Sequence, residues 1–203
     1  MGATRLQIWN LALAKAGISR QLVDDKVLDS PLAQTLHNIY EPTLFAFLED
    51  HSWSFAKRTV PLVLSDYKHI KWEYCYEYPD DCLSIRLVTS AASVHSRDEI
   101  PVVYEIITDE NTGRLLIGTN EAEAYAIYTT NNLREEAFPS TFVQAFATRL
   151  AAELAMAHAG DRGKHLDLLE ISMQMGEGSK ENNANEAIHV IGDFDSKYRR
   201  ARY

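Results

Sequence analysis

Between residues 71 and 88 the chain reads KWEYCYEYPDDCLSIRLV, with Trp72, Tyr74, Tyr76 and Tyr78 recurring at every second position. Successive side chains of an extended strand leave on opposite faces, so this spacing predicts a strand with all four rings on one face and Glu73, Cys75 and Glu77 on the other. Pro79 then fixes its own φ and removes a ladder donor, and the Asp80 and Asp81 side chains bond nearby amides in turns. A turn is therefore predicted at 79–81, and a second strand over 82–88. The flanking sequence on both sides has helical periodicity, so whatever this chain folds into must accommodate a β region between helices.

At 203 residues with 46% hydrophobic and 24% charged side chains, the chain has the composition of a globular protein able to bury a sizeable core. Its formal charge is −9, but residues 197–203 hold four basic side chains and no acidic one, and removing those four positive charges leaves −13 on the rest. Phosphate neutralisation needs a basic face, so simple nucleic-acid binding by the body is disfavoured while the tail attracts polyanions. Two cysteines, Cys75 and Cys82, make no disulfide framework and read as reduced core thiols of a cytoplasmic protein. No apolar run approaches bilayer-spanning length, and the first seventeen residues mix Arg5, Gln7, Asn10 and Lys15 into an amphipathic helix. Leu6 stands where a myristoylation signal wants Ser or Thr.

In chain order, Leu6, Trp9, Leu13 and Ala16 predict a first helix of about three turns, ended by Gly17 as a left-handed cap. Residues 18–29 read as a surface loop. Ser30-Pro31 is an N-cap with proline at the first helical position, and Leu36, Ile39, Tyr40, Leu44, Phe47 and Leu48 form the apolar face of a second helix bent by Pro42. Trp53 and Phe55 are predicted to dock under its last turn. Strands follow over 59–64, 72–78, 82–88, 102–107, 114–117 and 124–129, with a hairpin over 104–117 and the most mobile loop at 90–99. They read as one small antiparallel sheet.

After Pro139, with Ser140 or Thr141 as cap, Phe142, Val143, Phe146, Leu150, Leu154 and Ala155 predict a third helix to Ala159, before Gly160. Its alanines permit close approach of neighbours, which marks it as the centre of the bundle. A fourth helix runs from about Lys164 through Leu166, Leu169 and Met173 until its apolar face fades into GEGSKENNANE. The resulting division is 1–57 and 134–186 as bundle, 58–133 as an inserted β domain and 187–203 as a tail. The fold class is α+β: a helical bundle from the N- and C-terminal parts, an inserted small antiparallel β domain and an extended C-terminal tail.

Motifs for chemistry are sparse. The nine glycines form no GxxxxGK[ST] or GxGxxG arrangement, and there is no GxSxG elbow. His158 with Asp161 and His165, and Cys75 with Cys82, lack zinc spacing. Asp80-Asp81 reads as a solvated turn in preference to an acid/base or metal pair, and a carboxylate pair of glycosidase type stays open among 29 acidic residues. No metal or cofactor is expected. The aromatic row has two readings, a stacking platform for sugar or single-stranded nucleic acid and a packing face in the core or against a neighbouring subunit. Its acidic flanks favour packing. For the tail, AIHVIGDFDSKYRRARY, both a solvated end and a docking segment stay open, with Phe194, Tyr198 and Tyr203 among the charges pointing to docking.

Three passages carry a resemblance: HSWSFAKR at 51–58, WEYCYEYPDDCLSIRLV at 72–88, and FPSTFVQAFATRLAAELAMAHAGD at 138–161. In wording, order and spacing the chain resembles the head-to-tail adaptor family of short-tailed bacteriophages, the tail tubular protein A type, over nearly its whole length. The resemblance implies a virion protein of the head-tail junction, assembled from host cytoplasm as a ring of twelve copies. One side of the ring meets the portal and the other the tail nozzle, with double-stranded DNA passing through the channel without specific binding. It carries over no catalytic residue, cofactor or membrane contact. It implies portal contacts at the C-terminal segment, here Phe194, Lys197, Tyr198, Arg199, Arg200, Arg202 and Tyr203, and leaves Trp72, Tyr74, Tyr76 and Tyr78 to core or subunit interface. The competing classes are a tail-associated cell-wall hydrolase and a glycan-binding module.

Overall fold

The computed structural model describes residues 2–27, 29–94 and 100–187. Four helices, α1 (Arg5–Lys15), α2 (Pro31–Glu49), α3 (Ser140–Ala159) and α4 (Arg162–Ala187), flank six strands in sequence. The strands are β1 (Lys57–Pro61), β2 (Tyr74–Glu77), β3 (Cys82–Ser90), β4 (Tyr104–Thr108), β5 (Leu115–Thr119) and β6 (Ala124–Thr130). The protein is α+β, with all strands lying between the two helical halves of the chain.

Local chemistry sets the helix ends. Thr4 and Gln7 form a reciprocal capping box at the start of α1, and Gly17 follows its end at φ +74°, where an L side chain is strained. Ser30 accepts from the Ala33 amide and Pro31 opens α2, which runs unbroken through Pro42. For α3 the expected hydroxyl cap is absent: Pro139 stands at the N-cap and Ser140 is already helical. Gly160, at φ +61°, ends that helix. α4 continues to Ala187, beyond the predicted fade of its apolar face and through two glycines and three asparagines that are weak helix formers.

α3 packs against α1, α2 and α4 and so occupies the bundle centre. Its Ala145, Ala147, Ala151 and Ala152 are fully buried beside Phe142, Phe146 and Leu150. Short side chains on several faces of one helix let three neighbours approach it at once. Tyr40 and Phe146 meet edge to face at 5.4 Å between centroids, and Arg5 lies 4.8 Å over the Tyr40 ring while pairing with Glu135 at 2.8 Å. Trp53 docks under the last turn of α2 as predicted, its indole N–H donating to the Phe47 carbonyl at 3.2 Å, whereas Phe55 packs against Phe142 of α3, with its ring 4.8 Å away.

The β region is two sheets where the sequence reads as one. β1-β6-β3 and β2-β5-β4 are separate three-stranded antiparallel sheets, so the consecutive strands β2 and β3 belong to different sheets. The sheets meet across a cluster of Tyr76, Ile117, Val88 and Ala124, with Tyr74, Tyr78, Ile85 and Tyr104 around it. Sequence periodicity reports which face of a strand is apolar, and either one sheet on helices or two sheets on each other satisfies it. The predicted hairpin is present as β4 and β5, closed by Asp109, whose carboxylate accepts from the Asn111 amide at 2.8 Å and the Thr112 hydroxyl at 2.6 Å. Of the loop expected to be most mobile, residues 95–99 lie outside the described residues.

The Arg86 side chain links the two parts, beside Leu83, which packs on the bundle core. In β3 the register to β6 slips between Ile85 and Leu87, leaving Arg86 as the extra residue of a bulge. Its guanidinium donates to the Leu48, Glu49 and His51 carbonyls at 3.2, 3.0 and 3.0 Å, and to the Thr129 hydroxyl at 2.8 Å. The last carbonyls of a helix have no partner within it and carry partial negative charge, which a cation satisfies on both counts. Arg86→Met keeps the aliphatic stem and removes every one of these bonds. Urea unfolding of that variant is expected to lose about 1–3 kcal/mol; an unchanged midpoint would mean that water caps α2 equally well.

Candidate functional site

The aromatic row of 72–78 is divided between two faces. Tyr74 and Tyr76 stack at 6.5 Å on the side facing the other sheet, where Tyr78 also packs, whereas Trp72 lies on the opposite face with Cys75, Ile107 and Leu116. The expectation of four rings on one face is therefore corrected. β2 begins only at Tyr74, and residues 71–73 form bends in which strict alternation no longer applies. Trp72 rests on Gly118, where an added Cβ would meet its ring at 2.4 Å, and its N–H donates to Glu105 at 3.0 Å. Lys71 lies 4.8 Å over the indole and pairs with the same carboxylate at 2.7 Å. Trp72 and Tyr76 are buried and Tyr74 and Tyr78 half-buried, so the row contributes packing within the chain.

Asp81 is likewise not a solvated turn residue. The turn is present, with the Cys82 amide donating to the Pro79 carbonyl at 3.0 Å, and Asp80 is exposed. The Asp81 carboxylate, however, accepts from Tyr128, Thr130 and Arg58, each at 2.7 Å. Partial burial raises its pKa, but the two hydroxyls and the Arg58 charge outweigh that and hold the carboxyl below its ordinary value. Burial and the facing Asp81 push Tyr128 up to about 12, so the phenol keeps the proton it donates. Nothing in the sequence distinguishes Asp81 from Asp80; the distinction arises because β1 and β6 end beside one and not the other.

The cysteines are both free, and they are chemically quiet. Burial raises the pKa of each, and the Cys82 thiol donates to the Tyr78 hydroxyl at 3.3 Å. The residues considered for zinc also have structural partners. The His165 ring contacts the Ala152 carbonyl at 2.9 Å across α3 and α4, and Asp161 accepts from the Lys164 amide at 3.0 Å at the start of α4. Among the described residues no three or more His, Cys, Asp or Glu side chains gather as a metal site.

A groove of about 890 Å³ opens in the β region. It runs between the 79–82 turn, the 109–114 turn and residues 65–67. Its walls include Tyr67, Tyr78, Pro79 and Leu115, and its rim carries Asp66, Glu77, Asp80 and Asp109 against one cation, Arg114. Asp109 is engaged by its own turn, whereas Asp66, Glu77 and Asp80 are exposed and in no ion pair among the described residues. Sequence reasoning did not find this groove, since its acidic residues come from three connections and the end of β2, which only the sheet topology brings together. A second surface feature is a set of exposed apolar residues at the α3–α4 end and along α4, namely Met156, Leu166, Ile171 and Met173. The portal-contact candidates Phe194, Lys197, Tyr198, Arg199, Arg200, Arg202 and Tyr203 lie outside the described residues.

No protein-family model matches the chain, and no curated protein matches it by sequence.

Two substitutions test this reading. Gly118→Ala forces Trp72 off the sheet and is expected to cost about 1–3 kcal/mol, with a shift in tryptophan emission towards that of a solvated indole; native emission and stability would show that the indole does not rest there. For Asp81→Asn the expected loss at neutral pH is about 1–2 kcal/mol. Because the folded carboxyl titrates below the unfolded one, the wild-type advantage is present above about pH 4 and vanishes as the pH falls through the folded value. A gap between the two proteins that persists at pH 2 would contradict that sign.

Proposed function

We infer that the chain is a structural virion protein, a ring-forming head-to-tail adaptor that joins portal to tail nozzle and forms part of the DNA channel. The observation that carries this reading is where the three family-like passages fall in space. The first, 51–58, places Trp53 against Phe142 of the third at 5.0 Å, and its His51 carbonyl accepts from Arg86 of the second at 3.0 Å. The passages thus converge on the joint that fixes the β region on the bundle. Residues concentrated in a joint suit a subunit whose work is done by its shape.

Three further observations support the reading. A body charge of −13 suits a channel wall that repels DNA and lets it slide without sticking. The exposed apolar residues Leu166, Ile171 and Met173 on α4 suit a helix that completes its packing against another subunit. In a ring each copy uses two different patches, and the β region and α4 offer two. The adaptor works by contact alone, without catalysis.

Electron microscopy of the protein mixed with its cognate portal is expected to show rings of twelve copies seated on the portal. A chain ending at Glu186 is expected to lose portal binding by more than tenfold. Equal binding by the shortened chain would remove the tail from the portal contact, and clearing of a peptidoglycan suspension by the intact chain would replace the adaptor reading with the hydrolase.

A further inference from the structure

We propose that the acidic groove of the β region is the docking site for the basic C-terminal segment of the same molecule, residues 197–203. The segment holds Lys197, Arg199, Arg200 and Arg202 with no acid, together with Tyr198 and Tyr203. The groove offers four carboxylates to one cation, and apolar wall from Tyr67, Pro79 and Leu115 for rings to lie on. Charge complementarity of this kind selects a partner even where each exposed pair is individually weak. Asp66, Glu77 and Asp80 reach the groove from connections outside regular strands or from a strand end, with no ion pair among the described residues to occupy them.

The path of the chain allows it. α4 lies beside the end of α2, since a Cβ on Gly176 would stand 3.8 Å from the Phe47 ring. Glu49, two residues further on, accepts at its carbonyl from Arg86 of β3 at 3.0 Å, and β3 begins at Cys82 on the groove wall. From Gly176 the helix has eleven more residues, or about 16 Å at 1.5 Å each. The sixteen residues after Ala187 span up to roughly 53 Å when extended. Lys197, ten residues past Ala187, lies up to about 33 Å away along an extended chain, twice the length of those last turns, so the basic segment can return to the body beside the end of α2. Docked in the groove, it would be held on the body until a competing surface draws it away, and this contact stands whether or not the chain joins a ring.

The test uses a fluorescein-labelled peptide of residues 187–203 and the chain ending at Glu186. Fluorescence anisotropy is expected to give saturable binding that weakens at least tenfold in the Asp66→Asn, Glu77→Gln, Asp80→Asn triple variant. A control triple, Glu41→Gln, Asp167→Asn, Glu170→Gln, removes the same charge from exposed helix positions and is expected to change binding less than twofold. The intact chain, whose groove its own tail occupies, is expected to bind the peptide at least tenfold more weakly than the shortened one. Carbodiimide coupling of the intact chain, read by mass spectrometry, is expected to join Lys197 to a groove carboxylate within the monomer band. No binding, or equal loss in both triples, would reduce the effect to general attraction and overturn the proposal. Coupling confined to the dimer band would overturn it in favour of a second copy as the occupant.

Discussion

The arrangement of bundle and β region depends on the contact between the Arg86 guanidinium and the C-terminal end of α2. The Leu48 and Glu49 carbonyls have no partner within the helix, and the bulge in β3 turns a cation onto them and onto the His51 carbonyl just beyond, while its Nε–H holds Thr129 of β6. One residue therefore satisfies a helix end and bonds a strand to it. α1 is closed in the same way, its last turn receiving the Lys164 ammonium from the start of α4. In both cases the cation comes from a distant part of the sequence, so closing a helix also locks an element against it.

Asp81 complements this joint at the edge of the same sheet. Its carboxylate gathers Arg58 of β1 with Tyr128 and Thr130 of β6, and its carbonyl accepts from the Asn131 amide at 3.0 Å. With Asp81 at one turn and Arg86 five residues later, β3 is tied through charge both to β1 and β6 and to the end of α2. Such anchoring is directional where apolar burial is not, and it positions the groove between the turns.

The aromatic row shows how far burial decides the meaning of a motif. Alternate rings on a free sheet face would suit a stacking platform, but Tyr76 is covered by the second sheet and Trp72 is packed with Ile107 and Leu116 on the opposite face. The exposed chemistry of the β region lies instead at its acidic groove, and that of the bundle along α4.

The sequence by itself determined the six strands and the first three helices to within a few residues, the start of α4 though not its end, the hairpin at 109–114, the position of α3 at the bundle centre and the α+β class. Those features follow from local spacing, caps and turn residues, which act over a few neighbours. It did not determine that the strands divide into two sheets, that Trp72 and Tyr74 face opposite ways, that Asp81 and not Asp80 is bonded, or that Asp66, Glu77, Asp80 and Asp109 share one groove. Only the tertiary structure decided these, because each depends on which distant backbone arrives beside a given residue. A bulge at Arg86, invisible as a pattern, directs one such arrival. Period-two spacing constrains a strand's faces, and hydrogen-bonded register across strands decides what those faces meet.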